Sequence, residues 1–346
     1  MKYITLLALL FSAACNTMPE RVTLNAEAEP LAKLSEYGFF KNPLPQMLPN
    51  VGVQEYKLIN TMFNDYAHKR SFVYVPASLK CGVDSLGNIK LPEGSCLINC
   101  VYYPNDETDS TRGNQLVETQ LLIRTKKGWR AYNYVWNEDQ SDASLQQIGS
   151  EKHVEFKRAN GGLYKVDFMI ASKNQCRSCH NQQAETVPIG FTNVRHLQQN
   201  TALNSLFADA VWSEKTIPHT NWQDKSASLE NRVRGYLHIN CAHCHSEGGP
   251  AKSSGLILTY DNYNMEAYGV CKSPPSSGKG NCNLTYDIVP GNPGQSIMVC
   301  RMASNDLEAK MPELGRTTAH SEAVGLVVEW IQSLPPSACK TENSDR

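Results

Sequence analysis

The sequence predicts an α+β chain, an N-terminal antiparallel β-rich module followed by a mostly α-helical C-terminal region, and three observations carry that prediction. Paired runs of β-prone residues joined by short turns fill residues 53–170. Helical spacing of apolar residues begins only after residue 226. Prolines crowd the stretch before residue 50 and leave it with neither period.

Taken in order, Lys2, the apolar run Tyr3 to Phe11 and the small residues Ser12, Ala13 and Ala14 give residues 1–15 the layout of an export signal. Cys15 after two alanines stands where bacterial lipoproteins are cleaved and lipidated. The expected outcomes are a membrane tether through lipidated Cys15, or cleavage to a soluble exported form. Residues 16–52, with Pro19, Pro30, Pro43, Pro45 and Pro49, read as a linker or wrapping segment. In the β-rich module, 53–170, Leu116 to Thr125 and Trp129 to Trp136 flank the turn Lys126-Lys127-Gly128. Val154 to Arg158 and Leu163 to Ile170 flank Ala159-Asn160-Gly161-Gly162. Residues 171–225 form the region of the first of two C-x-x-C-H motifs, expected to hold the first haem. In the last region, 226–346, Leu229, Val233, Tyr236 and Leu237 mark an amphipathic helix with Ser226 or Ser228 as N-cap. Val324, Val327, Val328, Ile331 and Leu334 mark another, stopped by Pro335 and Pro336.

Composition excludes several classes of function. The 33 Lys+Arg balance 34 Asp+Glu, so nothing draws the whole chain to nucleic acid. Twelve cysteines are too many for an ordinary reduced protein without metal or disulfide chemistry, and an oxidising compartment agrees with the export signal.

Cys176-Arg177-Ser178-Cys179-His180 and Cys241-Ala242-His243-Cys244-His245 are both C-x-x-C-H, the signature of c-type haem attachment. The spacing has a physical cause. Two thiols three positions apart reach the two vinyl groups of one porphyrin, and the next histidine then sits beneath the iron. Two covalently attached haem c groups are therefore expected on Cys176 and Cys179, and on Cys241 and Cys244, with His180 and His245 on the irons. A zinc site made of the same four thiols leaves both histidines unexplained and separates the two knuckles too widely, so no zinc is expected. A thioredoxin-like dithiol lacks its βαβ context.

The second motif has the order of a small cytochrome c-like domain: a helix leading into Cys241, the pair Met311-Pro312 downstream, and a closing helix carrying Trp330. Met311 is the expected sixth ligand there, ahead of Met298, Met302 and Met265. Its soft thioether favours Fe(II), and Trp330 with Tyr236 is expected to pack the terminal helices. For the first haem the candidates stay open: His196, His219, His153, Met169, or no protein ligand. Among the other cysteines, Cys271 with Cys282, Cys300 with Cys339, and Cys81 with Cys96 or Cys100 are the expected pairs, leaving one thiol free.

Several stretches resemble one family, the exported bacterial di-haem c-type cytochromes of uncharacterised role, which join an N-terminal β-rich region to two C-x-x-C-H sites in the C-terminal half. They are Leu34-Ser35-Glu36-Tyr37-Gly38-Phe39-Phe40, Tyr134-Val135-Trp136-Asn137-Glu138-Asp139-Gln140, Asn174-Gln175-Cys176, the run Tyr236 to His245, and Met311-Pro312-Glu313-Leu314-Gly315. The resemblance implies two covalent haems and electron transfer between envelope redox partner proteins, in the periplasm or at the outer-membrane surface as a lipoprotein. It implies no substrate. Electron relay is the leading expectation. A di-haem peroxidase or oxidase with an open first haem is the enzymatic alternative, and a redox subunit serving a neighbouring dehydrogenase is the third.

Overall fold

The computed structural model describes residues 21–208, 217–275, 278–336 and 339, so the export segment and Cys15 lie outside the described residues. The chain is mixed α+β with antiparallel sheets. Six strands, β1 (Val53–Tyr56), β2 (His68–Tyr74), β3 (Cys96–Pro104), β4 (Asn114–Thr125), β5 (Gly128–Trp136) and β6 (Ala143–Gln146), follow one another across one sheet in chain order. Thr125 pairs with Gly128, so the turn is the two residues Lys126-Lys127, with the Gly128 of the expected turn already in β5. A separate hairpin pairs β7 (Ser150–Lys157) with β8 (Leu163–Ile170).

Side chains alternate across the sheet, and each face is covered differently. Phe72, Ile98, Leu121, Tyr134 and Trp136 bury against Leu34, Tyr37, Phe39, Phe40 and Met47, so the proline-rich segment wraps one face. Val73, Leu97 and Leu122 point the other way, into a core shared with Phe191, Leu197 and Leu203. The β7–β8 hairpin packs Val154, Phe156 and Phe168 on Val101 and Tyr103.

Among the described residues four α-helices follow: α1 (Lys173–Cys179), α2 (Leu229–Cys241), α3 (Ile297–Ala303) and α4 (Ser321–Ser333). Ser228, not Ser226, caps α2, its hydroxyl accepting from Asn231 N at 3.3 Å. The α2–α4 core contains both Tyr236 and Trp330. Each also meets a ring from outside the two helices. Trp330 meets Tyr268 edge-on at 6.1 Å, whereas Tyr236 meets Trp222 at 5.7 Å. No helix among the described residues is long and apolar enough to cross a membrane.

The disulfides join different partners from those expected. Cys271 binds Cys339, and Cys282 binds Cys300, while Cys81, Cys96 and Cys100 are free thiols. The cause is the sheet. Cys96 and Cys100 point into the core on the wrapped face, and Cys81 lies in the core on the opposite face, so the sheet separates them. Cys96 and Cys100 stand four residues apart on one strand, about 13 Å, beyond bridging distance.

Candidate functional site

Both C-x-x-C-H motifs open onto cavities that adjoin. The first motif lies on α1, a helix of under two turns, and not directly after a strand as its sequence setting suggests. Ser172 and Gln175 form a capping box that starts α1, which places Cys176 and Cys179 on one helix face at i, i+3. His180 is the C-cap residue. Its Nδ1–H donates to the Val187 carbonyl at 2.8 Å, and Val187 N donates back to the His180 carbonyl at 2.8 Å. That pairing fixes the tautomer and leaves Nε2 with its lone pair.

The second motif begins at the last residue of α2, and two turns then fold it back: His245 N donates to the Cys241 carbonyl at 2.8 Å. Gly249 is required just beyond, because a Cβ there would lie 2.2 Å from the Cys244 carbonyl oxygen. His245 Nδ1 lies 3.0 Å from Ser254 Oγ, so this ring too can donate through Nδ1 and keep Nε2 free. Burial holds both imidazoles below their usual value, His245 at about 4, so each is the neutral base that binds a metal.

His245 and Met311 line the same cavity, of about 350 Å³, with Met298, Met302, Leu258 and Arg301. The loop carrying Met311 is held from three sides. The buried Arg316 guanidinium donates to the carbonyls of Met311 at 3.0 Å and Ser304 at 2.8 Å, and buried Lys310 donates to the Arg316 carbonyl at 2.6 Å. Asp65, from the β-rich half, accepts from Thr317 N at 2.8 Å and Thr318 N at 2.9 Å.

Cys176, Cys179 and His180 line the other cavity, of about 210 Å³, whose floor is the second face of the sheet. A polar row crosses that floor. Ser71, Asn99, Gln120 and Asn133 are direct neighbours on β2, β3, β4 and β5. Asn99 Nδ2 donates to Gln120 Oε1 at 3.0 Å, and Glu118 accepts from Gln120 and Asn133, each at 2.6 Å. Burial raises the Glu118 pKa and lowers that of Lys69 to about 8.

Of the candidates for this second position, Met169 lines the cavity. His153 is an exposed hairpin residue 2.6 Å from Asp167 Oδ1, and His196 and His219 lie against His238, outside the lining of both cavities. Met62 also lines the cavity. Sequence reasoning passed over Met62 because it sits in an irregular segment without a neighbouring motif. The polar row did leave a signal, in the polar Glu118 and Gln120 interrupting the apolar alternation of β4.

Cys179 and Leu314 line both cavities. Ile239 of α2 faces the first-motif cavity, while Tyr236, Leu237 and Asn240 face the other. The loops after the motifs also meet, Gln183 N donating to the Gly248 carbonyl at 3.0 Å. Paired thiols beside a tautomer-fixed imidazole, each facing an adjoining cavity, are the donor set a thioether-bound haem requires. No family model, no curated protein and no solved structure matches this chain.

Proposed function

We propose that this chain is a di-haem c-type cytochrome, with a cytochrome c-like helical region, that relays single electrons between proteins of the bacterial cell envelope. One observation carries the reading: each C-x-x-C-H histidine has Nδ1 engaged and Nε2 free beside a cavity, and the two cavities share a wall. Cys176, Cys179 and His180 would hold one haem, and Cys241, Cys244, His245 and Met311 the other. When bound, the haems supply reversible one-electron iron couples.

The protein's part is orientation and dielectric. Val187 and Ser254 fix the imidazole planes, and Arg316 with Lys310 keeps Met311 from retreating. Apolar walls exclude water, which keeps reorganisation small on electron arrival or departure. Arg301, on the wall of the second-motif cavity, would offer positive charge to the carboxylates of a bound haem.

The test is mass spectrometry of the exported protein with parallel redox titration. Two haem increments and a reversible wave are expected, and the pair Cys241→Ser/Cys244→Ser should lose one increment. A polypeptide of unmodified mass would end the proposal.

The polar floor favours a second reading, a peroxidase or oxidase in which the first haem is open. Lys69, Glu118 and Gln120 could orient a small oxygen ligand and exchange its proton. Cyanide-sensitive high-spin iron would support catalysis; two low-spin irons indifferent to cyanide would leave electron relay alone.

A further inference from the structure

Three imidazoles from separate segments converge outside both haem cavities. His196 follows the first motif's loop, His219 stands before α2, and His238 lies within α2. Their ligand-capable atoms lie within 4.8 Å of one another, and His196 Nε2 and His238 Nε2 stand 3.1 Å apart. We propose that His196, His219 and His238 form a separate site for a late first-row transition ion, copper(II) or zinc(II), bound by three nitrogens with a fourth position open.

The orientation is built in by neighbours. His196 Nδ1–H donates to the Gly190 carbonyl at 2.9 Å, which turns the Nε2 lone pair into the cluster. His219 stacks on Tyr260 with centroids 4.1 Å apart and planes 11° from parallel, so its ring is held without blocking its edge. No carboxylate or thiolate belongs to the group, and an all-imidazole set suits copper or zinc over magnesium, calcium or manganese. Burial lowers the pKa of all three rings, with Arg195 acting the same way and Asp261 opposing it at His196 and His238.

Distances favour the same reading. Nitrogens about 2.0–2.1 Å from a tetrahedral ion stand about 3.3 Å from each other, close to the 3.1 Å between His196 and His238. The third ring must advance by up to about 1.5 Å to complete the set. One proton has to move. His238 Nδ1 accepts from Tyr260 N at 3.1 Å, so the neutral ring carries its proton on Nε2, donated towards His196. On ion entry that proton passes to Nδ1, the hydrogen bonds to His196 Nε2 and from Tyr260 N are both lost, and the ring tilts to part the two facing N–H groups. Two ordinary hydrogen bonds are a small loss beside the binding energy of a transition ion held by several protein ligands.

The site shares no ligand with the haem positions, so its test is independent of haem loading. The full chain as purified is stripped with chelator and titrated separately with copper(II) and zinc(II), with ion content per chain and paramagnetic resonance of the copper form as readouts. One ion per chain and a copper signal coupled to three nitrogens are expected. His219→Ala and His238→Ala should each weaken binding by at least about tenfold, while the surface variant His153→Ala keeps it. Copper that survives excess zinc assigns copper, and displacement assigns zinc; either result supports the site. Sub-stoichiometric binding of both ions, coupling to fewer than three nitrogens, or loss of the ion with His153→Ala instead would overturn it. The nitrogen coupling of the unmodified chain decides even if a histidine variant fails to fold.

Discussion

At the scale of single residues, Met311 and His320 carry the sharpest expectations. Met311 shares its cavity with Met298 and Met302, and what sets it apart is the loop that holds it, pinned by Arg316 through a 3.0 Å hydrogen bond to its carbonyl. On the proposed di-haem reading, replacing the thioether by imidazole would favour Fe(III), so Met311→His should lower the midpoint potential of one haem and leave the other in place. A potentiometric titration checks this; an unchanged pair of potentials would remove Met311 as ligand. His320 stacks on Phe63 with centroids 4.1 Å apart, and Tyr236 OH lies 3.2 Å from its Nδ1. Burial lowers its pKa from 6.5 to about 4, although Glu322 pulls it up, with Arg158 acting the other way. The unfolded chain therefore binds more protons than the folded one between pH 4 and 6.5, and stability is lost as pH falls through that window. Melting temperature against pH should show this acid limb, and His320→Phe should flatten it. His180 and His245 were legible in the sequence because the C-x-x-C-H motif places each next to its thiol pair, the spacing that the proposed haem attachment would require. His238 was not, because the cluster it joins depends on three segments that only folding brings together.

The elements repeat this division between local and long-range information. The turn at Lys126-Lys127 and the stripe of α4 are local patterns, and both are read directly from the chain. Helix α1 escaped because seven residues hold under two turns of periodicity, although Ser172 and Gln175 carried its capping signal. In α2 the apolar stripe was plain but its closest contact was hidden in a glycine. A Cβ at Gly235 would lie 2.2 Å from the Thr220 carbonyl oxygen, so this helix packs backbone against backbone. Alanine is the better helix former by about 1 kcal/mol. The clash nevertheless wins, since overpacking costs typically about 1–3 kcal/mol or more. Gly235→Ala should therefore lower the denaturant midpoint, measured by circular dichroism; a gain in stability would mean that the Thr220 segment yields easily.

Across the whole molecule, the short stretch from Asn60 to Tyr66 ties the sheet to the helical half at three points. Asn60 Nδ2 donates to the Thr220 carbonyl at 2.8 Å, Phe63 N donates to Asn240 Oδ1 at 2.7 Å, and Tyr66 OH donates to Glu322 at 2.8 Å. None of these pairings has a sequence signature, because each joins positions 160 or more residues apart. Asp65 is the most exacting residue of this stretch, taking two backbone N–H groups and the Thr317 hydroxyl from the loop just after Met311. Burial raises its pKa, against the opposing pull of the Thr318 and Thr317 donors and of the Lys310 charge. Asp65→Ala would strand the two N–H groups at a loss of about 1–3 kcal/mol. The loss should fall on the Met311 loop first, since the apolar contacts of the sheet core do not include Asp65. With haem bound as proposed, the variant is therefore expected to lose the spectroscopic signature of methionine ligation at a lower denaturant concentration than its β-sheet signal, whereas the unmodified chain loses both nearer together. Coincident loss in the variant would show that the sheet and the Met311 loop unfold as one unit whether or not Asp65 joins them.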